Sequence, residues 1–227
     1  MIQLYQGDSR EIAKDLIAPG SVDLIFTDPP YAKKYHYLYQ WLGQEAERAL
    51  KPDGFLFAYT GPYWKHEIMT MLGRYLDYFY DFVLVHGDTS ILWQRKIVSG
   101  YKSILCYKQK GRKSKPYMNV LGKFSSSEQD KRFHSWGQSA FEARYYIDCF
   151  TKEGDLVVDY FLGSGTTAEV CKRLNRNFIG IENDAETFKI AQARLTGALG
   201  PREKGRQIEL LPEEGEISKG RSHQGVG

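Results

Sequence analysis

The sequence predicts an α/β fold: a mostly parallel sheet with helices on both faces. Three observations carry this. Short apolar runs such as Val22–Phe26 and Leu156–Phe161 have the content of strands buried on both sides. Helix-like stretches alternate with those runs along the chain, the order that builds a parallel sheet. The stretch from Leu156 to Glu182 is a complete strand–turn–helix–strand unit with glycines in its turn. A chain of 227 residues with 42% hydrophobic content fits one full core with small additions.

The elements follow in order. Ile2–Tyr5 is a short opening strand, followed by Gly7-Asp8-Ser9. Ile12–Leu16 is a short helix closed by Pro19-Gly20, and Val22–Phe26 is the next strand. Tyr35–Leu50 forms a helix, Gly54–Tyr59 a strand and Trp64–Leu76 a helix. Tyr80–Val85 and Lys102–Lys108 are two further strands. Phe141–Phe150 is a helix, and Gly154-Asp155 turns the chain into the strand Leu156–Phe161. Thr166–Leu174 is a helix, Phe178–Ile181 a strand and Asp184–Leu195 the last helix. Residues 1–196 make the predicted domain, with a short insert at about 109–133. Residues 197–227 are rich in glycine and mixed charge, so a flexible tail is expected there; Ile208–Leu211 is its one stretch able to pair or dock.

Composition narrows the classes. No apolar run approaches the length that spans a bilayer, and no amino-terminal signal pattern is present. Cys106, Cys149 and Cys171 are scattered, with neither zinc spacing nor a redox pair, so a reducing cytoplasm is the expected location. No metal is expected: His66-Glu67 opens like a zinc-hydrolase helix, but Thr70 stands where the second histidine belongs.

Thr27-Asp28-Pro29-Pro30-Tyr31 directly follows the strand Val22–Phe26. Open α/β sheets bind ligands at the carboxyl ends of their strands. A carboxylate, two prolines and an aromatic ring there form a rigid lip. Such a lip suits methylation of an exocyclic amino group on a nucleobase, a nitrogen whose lone pair is delocalised into its ring. Asp28 and the Pro29 carbonyl would accept the two amino protons and turn the lone pair outward. The prolines fix φ and hold that carbonyl still. Tyr31 offers a face for an extruded base. Read without other context, the same residues also suit an ordinary strand-to-loop turn.

The second motif is Phe161-Leu162-Gly163-Ser164-Gly165, with Glu182 at the end of the following strand. Its glycines allow close backbone approach, and the helix start favours an anionic group. Glu182 stands where an acidic residue commonly takes a ribose diol. The pattern also satisfies a dinucleotide fingerprint, so NAD or FAD is an alternative on this motif alone.

Together the two motifs resemble the amino-methylating DNA methyltransferases. Asp28-Pro29-Pro30-Tyr31 is similar to their catalytic motif, and Phe161–Gly165 to their S-adenosylmethionine loop. The catalytic motif comes first, as in the permuted β group. The resemblance runs from about Ile2 to about Leu195. It implies a Rossmann-like methyltransferase fold with one antiparallel strand near a sheet edge. It implies S-adenosyl-L-methionine as cofactor, held by Asp8, Ser9, Asp28, Phe161, Gly163, Ser164, Gly165, Thr166, Thr167, Glu182 and Asn183. Asp8 matches the family's grip on the cofactor adenine, and Arg48–Gly54 matches its turn before the next strand. Two departures stand out. The family has Asp-Pro-Phe where this chain has Asp159-Tyr160-Phe161. Its His-Pro-Thr-x-Lys-Pro is here His134-Ser135-Trp136-Gly137-Gln138-Ser139, which leaves open how His134 and Ser139 meet the methionine end of the cofactor.

The acceptor expected from the resemblance is adenine N6 in DNA. Cytosine N4 is the alternative, as are an RNA or protein amide nitrogen and a non-catalytic DNA- or partner-binding module that retains the cofactor fold. Methylation at cytosine carbon 5 is disfavoured, because no Pro-Cys pair supplies a thiolate nucleophile. With a net charge of only +3, attraction to DNA must come from local clusters. Lys33 and Lys34 lie among Tyr35, His36, Tyr37, Tyr39 and Trp41, a mixture suited either to phosphate contact and stacking or to a packed helix face. Lys110, Arg112, Lys113 and Lys115 occupy the insert and are candidates for phosphate contact, with a solvated loop as the alternative. The insert is short, so a recognition site of few base pairs is expected. The reading leaves room for a homodimer and for a cognate restriction enzyme.

Overall fold

A computed structural model describes residues 1–92, 95–112, 120–125 and 140–197. Eight strands form one sheet among these residues: β1 (Ile2–Gln6), β2 (Val22–Thr27), β3 (Leu50–Thr60), β4 (Leu76–Leu92), β5 (Ile97–Gln109), β6 (Lys123–Ser125), β7 (Leu156–Asp159) and β8 (Asn177–Glu182). Their order across the sheet is β1-β8-β7-β2-β3-β5-β4-β6. Among the described strands only β5 runs against its neighbours, between β3 and β4, as the resemblance implied.

Among the described residues six α-helices cover the two faces: α1 (Ser9–Leu16), α2 (His36–Ala49), α3 (Lys65–Leu72), α4 (Phe141–Phe150), α5 (Thr166–Arg173) and α6 (Ala185–Thr196). Alternation along the strands sorts the core into two layers. Leu24, Phe26, Phe55 and Phe57 face one layer, with Ala143, Tyr146, Ile147 and Phe150 of α4 and Ala168 and Val170 of α5. Val22, Ile25, Leu56 and Ala58 face the other, with Ala13 of α1, Tyr39, Leu42 and Ala46 of α2, and Ile68 and Leu72 of α3. The helix periodicity of α2 shows in that set, whose members recur every three or four residues.

Several boundaries differ from the expected ones, each for a local reason. α1 begins at Ser9 because the Asp8 side chain caps it, accepting from the Arg10 N–H. α3 stops at Leu72, and Leu76 already belongs to β4. β7 ends at Asp159, so Tyr160 and Phe161 are in the turn. The β4–β5 hairpin is much longer than its apolar centre suggested. Its outer ladder pairs Ser90 with Ser99 and Leu92 with Ile97, beyond the end of β3. The polar residues His86, Gly87, Asp88 and Thr89 break the alternation that would have announced it. β6 lies inside the expected insert and, at three residues, is too short for periodicity to reveal. Most of residues 109–133, and the tail beyond Gly197 with Ile208–Leu211, lie outside the described residues.

Candidate active site

The carboxyl ends of β1, β8, β7, β2 and β3 share one edge, and the site is built there. Asp28 and Tyr31 follow β2. The Tyr31 hydroxyl donates to Asp28 Oδ1 at 2.5 Å. The Tyr39 hydroxyl from α2 lies 3.0 Å from the Tyr59 carbonyl and 3.3 Å from the Pro29 carbonyl. A buried helix residue thus steadies the carbonyl expected to receive an amino proton. Asp28 is exposed at the mouth of the site, yet crowding by protein raises its carboxyl pKa; the Tyr31 hydroxyl and the Lys102 charge pull it back down. Lys102 of β5 sits over the Tyr31 ring, 5.3 Å from its centroid.

The glycine loop lies beside this lip. Gly163 and Gly165 have φ of 54° and 81°, in the left-handed region that glycine adopts without strain. A Cβ on Gly165 would also come within 3.1 Å of the Ala191 backbone. Glu182 braces two loops: Oε2 accepts from the Gly163 N–H at 2.8 Å and Oε1 from the Asp184 N–H at 2.9 Å. Asp8 and Ser9, after β1, reach the same cluster. The Gly7 N–H donates to the Glu182 carbonyl at 2.9 Å, and the Ser9 hydroxyl to the Tyr160 carbonyl at 2.5 Å. The Asp8 carboxylate is paired with Arg10 at 2.5 Å, which holds its pKa below the usual range. Thr167 is buried, Thr166 Oγ1 accepts from Arg194 at 2.6 Å, and Ser164 and Phe161 are half-buried. Asn183 is exposed just beyond Glu182.

The two motifs are joined by Thr27 and Asp159, 132 positions apart in the chain. The Thr27 hydroxyl donates to Asp159 Oδ1 at 2.7 Å, and the same oxygen accepts from the Phe161 N–H at 3.1 Å. Burial pushes the Asp159 carboxyl up to about 6. The departure at Tyr160 also has a structural role. Tyr160 is buried against Trp41, and its hydroxyl donates to Glu45 Oε1 at 3.0 Å; Glu45 in turn pairs with Arg48 at 2.5 Å. A proline could not make that tie from the glycine loop to α2.

The sequence-predicted cofactor residues therefore converge from three strand ends, with the Asp28–Tyr31 lip alongside. Lys33 and Lys34 are exposed next to that lip, and Tyr39 is core. Lys110 and Arg112 lie at the opposite edge. Phe55 pairs with Lys108 there, while Thr60 pairs with Ser103 at the site. Five residues of strand separate them, about 16 Å. Lys110 Nζ donates to the Arg74 carbonyl at 2.5 Å, and Lys108 donates to the Arg112 carbonyl. Lys113, Lys115, His134 and Ser139 lie outside the described residues. Sequence reasoning missed Lys102 and Glu142. The Tyr59 hydroxyl lies 3.5 Å from Glu142 Oε1, and burial raises the Glu142 carboxyl to about 7. Nothing in the sequence marks a lone glutamate of α4 as part of this edge.

Glycines at a helix start, an acidic residue closing the next strand and an acidic lip across the edge define a Rossmann-like methyltransferase. A family model described as DNA methylase, covering N6 and N4 amino-methylating enzymes, matches residues 22–193. The chain belongs to that family. It is 28% identical to the type II methyltransferase M2.LlaDCHI of Lactococcus lactis subsp. cremoris, across 85% of this chain and 88% of that one. It is equally identical to M.BamHI of Bacillus amyloliquefaciens, across 79% of this chain but only 54% of that longer protein. Among solved structures, M1.HpyAVI superposes with a TM-score of 0.68 at 28% identity, covering 86% of this chain and 99% of that one. The cytosine-N4-specific PvuII DNA methyltransferase superposes with a TM-score of 0.70 at 20% identity, covering 84% and 85%, a likeness of fold. No helix among the described residues is long and apolar enough to cross a membrane.

Proposed function

We propose that the chain methylates an exocyclic amine of a base in DNA, most favourably adenine N6, using S-adenosyl-L-methionine. The observation that carries the reading is the junction of the Asp28–Tyr31 lip to the glycine loop through Thr27 and Asp159. The adjoining residues fit the cofactor. Gly163 and Gly165 leave room for close approach, Glu182 keeps free lone pairs beside its two backbone donors, and Phe161 stands half-exposed at the rim. M1.HpyAVI, a relative of 29% identity, has a structure in complex with S-adenosylmethionine. Membership in the DNA methylase family displaces the NAD alternative.

When bound, S-adenosylmethionine supplies an electrophilic methyl group on a sulfonium. The protein's own part is positional. The target base leaves the stack, at a cost of about a few kcal/mol, and enters beside Tyr31. Tyr31 occupies Asp28 Oδ1, which leaves Asp28 Oδ2 to accept from the incoming amine. The Pro29 carbonyl, steadied by Tyr39, accepts the second amino proton. The nitrogen lone pair then leaves the ring plane toward the cofactor side, and Asp28 is placed to take the proton that is lost. Burial raises the Asp28 carboxyl, and the Tyr31 hydroxyl and then the Lys102 charge oppose that rise. Phosphate contacts are assigned to Lys33 and Lys34 at the lip; Lys110 and Arg112 lie at the opposite edge of the sheet, and Lys113 and Lys115 lie outside the described residues.

Aspartate and tyrosine in the lip favour adenine by resemblance to the family; cytosine N4 is the second reading. Incubation with labelled S-adenosylmethionine and DNA lacking methylated bases, then digestion to nucleosides, distinguishes them. The expected product is N6-methyl-2′-deoxyadenosine. N4-methyl-2′-deoxycytidine would replace the base assignment, and absence of label in DNA would overturn the activity.

A further inference from the structure

We propose that Lys33, Tyr63, Trp64 and Arg95 form a DNA-strand site that holds the backbone beside the extruded base. This rests on the DNA methyltransferase reading and adds residues to it. Four observations support it.

The first is position. Gly61, at the end of β3, packs against the Tyr31 ring; a Cβ there would lie 3.5 Å from Tyr31 Cδ2. Tyr63 and Trp64 follow within three residues, and Lys33 comes two residues after Tyr31. The β4–β5 hairpin continues past the carboxyl end of β3 and brings Arg95 at its tip to the same place. Three separate segments thus meet next to the catalytic lip.

The second is the arrangement of the cations. The Arg95 guanidinium lies over the Tyr63 ring at 4.5 Å and donates to the Tyr63 carbonyl at 3.3 Å. Lys33 Nζ lies over the Trp64 ring at 5.5 Å. Neither pairs with a carboxylate among the described residues. A guanidinium seated on a ring is pre-organised, and its unused donors match a phosphate.

The third is the pair of rings. Tyr63 and Trp64 meet edge to face at 4.6 Å and are half-buried. Alternating rings and cations suit a single strand, where unstacked bases need a surface and phosphates a charge. The fourth lies beneath the indole. His36 is 8% exposed, contacts Trp64 edge-on at 5.3 Å, and its Nε2 has no hydrogen-bond partner among the described residues. Buried polar atoms are ordinarily satisfied, so this one marks a surface adapted to something besides packing.

The test is the salt dependence of binding to a generic DNA duplex, followed by anisotropy, with and without a central mismatch. Lys33→Gln with Arg95→Gln should lower the steepness of log affinity against log salt by about 1.8, at about 0.9 for each lost phosphate contact. Trp64→Ala should erase the preference for the mismatched duplex, whose base leaves the stack more readily. Calorimetry with S-adenosylmethionine should give wild-type affinity for both variants, and thermal melting guards against misfolding. Tyr63→Phe, which keeps the ring, should bind as wild type. If wild type methylates DNA and the double variant keeps the full slope, the strand site is wrong while the activity stands. If wild type binds and methylates RNA but not DNA, the partner assigned here is wrong. If it transfers no methyl group to any nucleic acid, both fall.

Discussion

Thr27 and Asp159 are joined by a 2.7 Å hydrogen bond, and each stands at the last position of its strand. One residue beyond Thr27 is Asp28; two beyond Asp159 is Phe161. The Asp28–Tyr31 lip and the glycine loop are therefore one mechanical unit, fixed to a carboxylate that is almost fully buried.

Thr27→Val should break that unit while preserving side-chain shape. Loss of one partner from the buried Asp159 should cost about 1–3 kcal/mol. Urea denaturation measures the stability, and single-turnover methyl transfer should show a rate loss larger than any loss of cofactor affinity. A variant with wild-type stability would mean that the Phe161 N–H and the Thr167 hydroxyl, which also hydrogen-bonds to Asp159, satisfy the carboxylate alone.

Asp28→Ala should lower methyl transfer by on the order of 10²-fold or more, since it removes a positioned acceptor. Cofactor affinity by calorimetry should change little. Wild-type turnover would remove Asp28 from the mechanism.

The ring and the hydroxyl of Tyr31 can be separated. The hydroxyl hydrogen bond lowers the Asp28 pKa. Tyr31→Phe should therefore move the acid limb of the pH–rate profile to higher pH, because Asp28 then protonates more readily. Rate should be recovered in part at alkaline pH. Tyr31→Ala also loses a stacking surface worth roughly 1–3 kcal/mol per base and should not recover. Identical profiles for the two variants would assign the whole effect to the hydroxyl.

Glu142 should give a stability difference with a definite sign. Its folded pKa of about 7 lies above the ordinary carboxyl value of 4.5. Between those values the folded protein binds more protons than the unfolded chain, so stability falls as pH rises across that window. Glu142→Gln lacks this titration. Its stability relative to wild type should rise from about pH 4.5 to about pH 7 and level off above, as read from urea midpoints. A flat difference would show that Glu142 is solvated and ordinary.

Much of this was legible from the chain. The Asp28–Tyr31 lip, the glycine loop and Glu182 announce themselves because their chemistry needs adjacent residues of particular types. The buried strands show as apolar runs. Lys102 and Glu142 do not show, because they meet Tyr31 and Tyr59 only through the sheet and one helix. The reach of the β4–β5 hairpin was also hidden: its outer pairs include serines, whose hydrogen-bonded ladder leaves no hydrophobic period. A run of basic residues was easy to see at Lys108–Lys115, but charge density alone does not say on which edge of the sheet it falls. Register does, and it puts Lys110 and Arg112 opposite the site.

Glu182 and Asp8 separate cofactor binding from scaffolding. Glu182 accepts from two loop N–H groups, so Glu182→Ala should weaken both the loop and the cofactor. Glu182→Gln keeps an acceptor for one loop N–H but faces the other with an NH2 donor, so it should lose part of the loop's stability as well as the charged acceptor, worth roughly 1.5–3 kcal/mol of cofactor affinity. Asp8 caps α1, so Asp8→Ala loses a cap worth about 1 kcal/mol as well as the cofactor contact proposed for it. Asp8→Ser restores the cap without restoring the charge. Calorimetry with S-adenosylmethionine on Asp8→Ser is the deciding measurement. Weakened binding at wild-type stability assigns Asp8 to the cofactor. Wild-type affinity would leave it a helix cap held by Arg10.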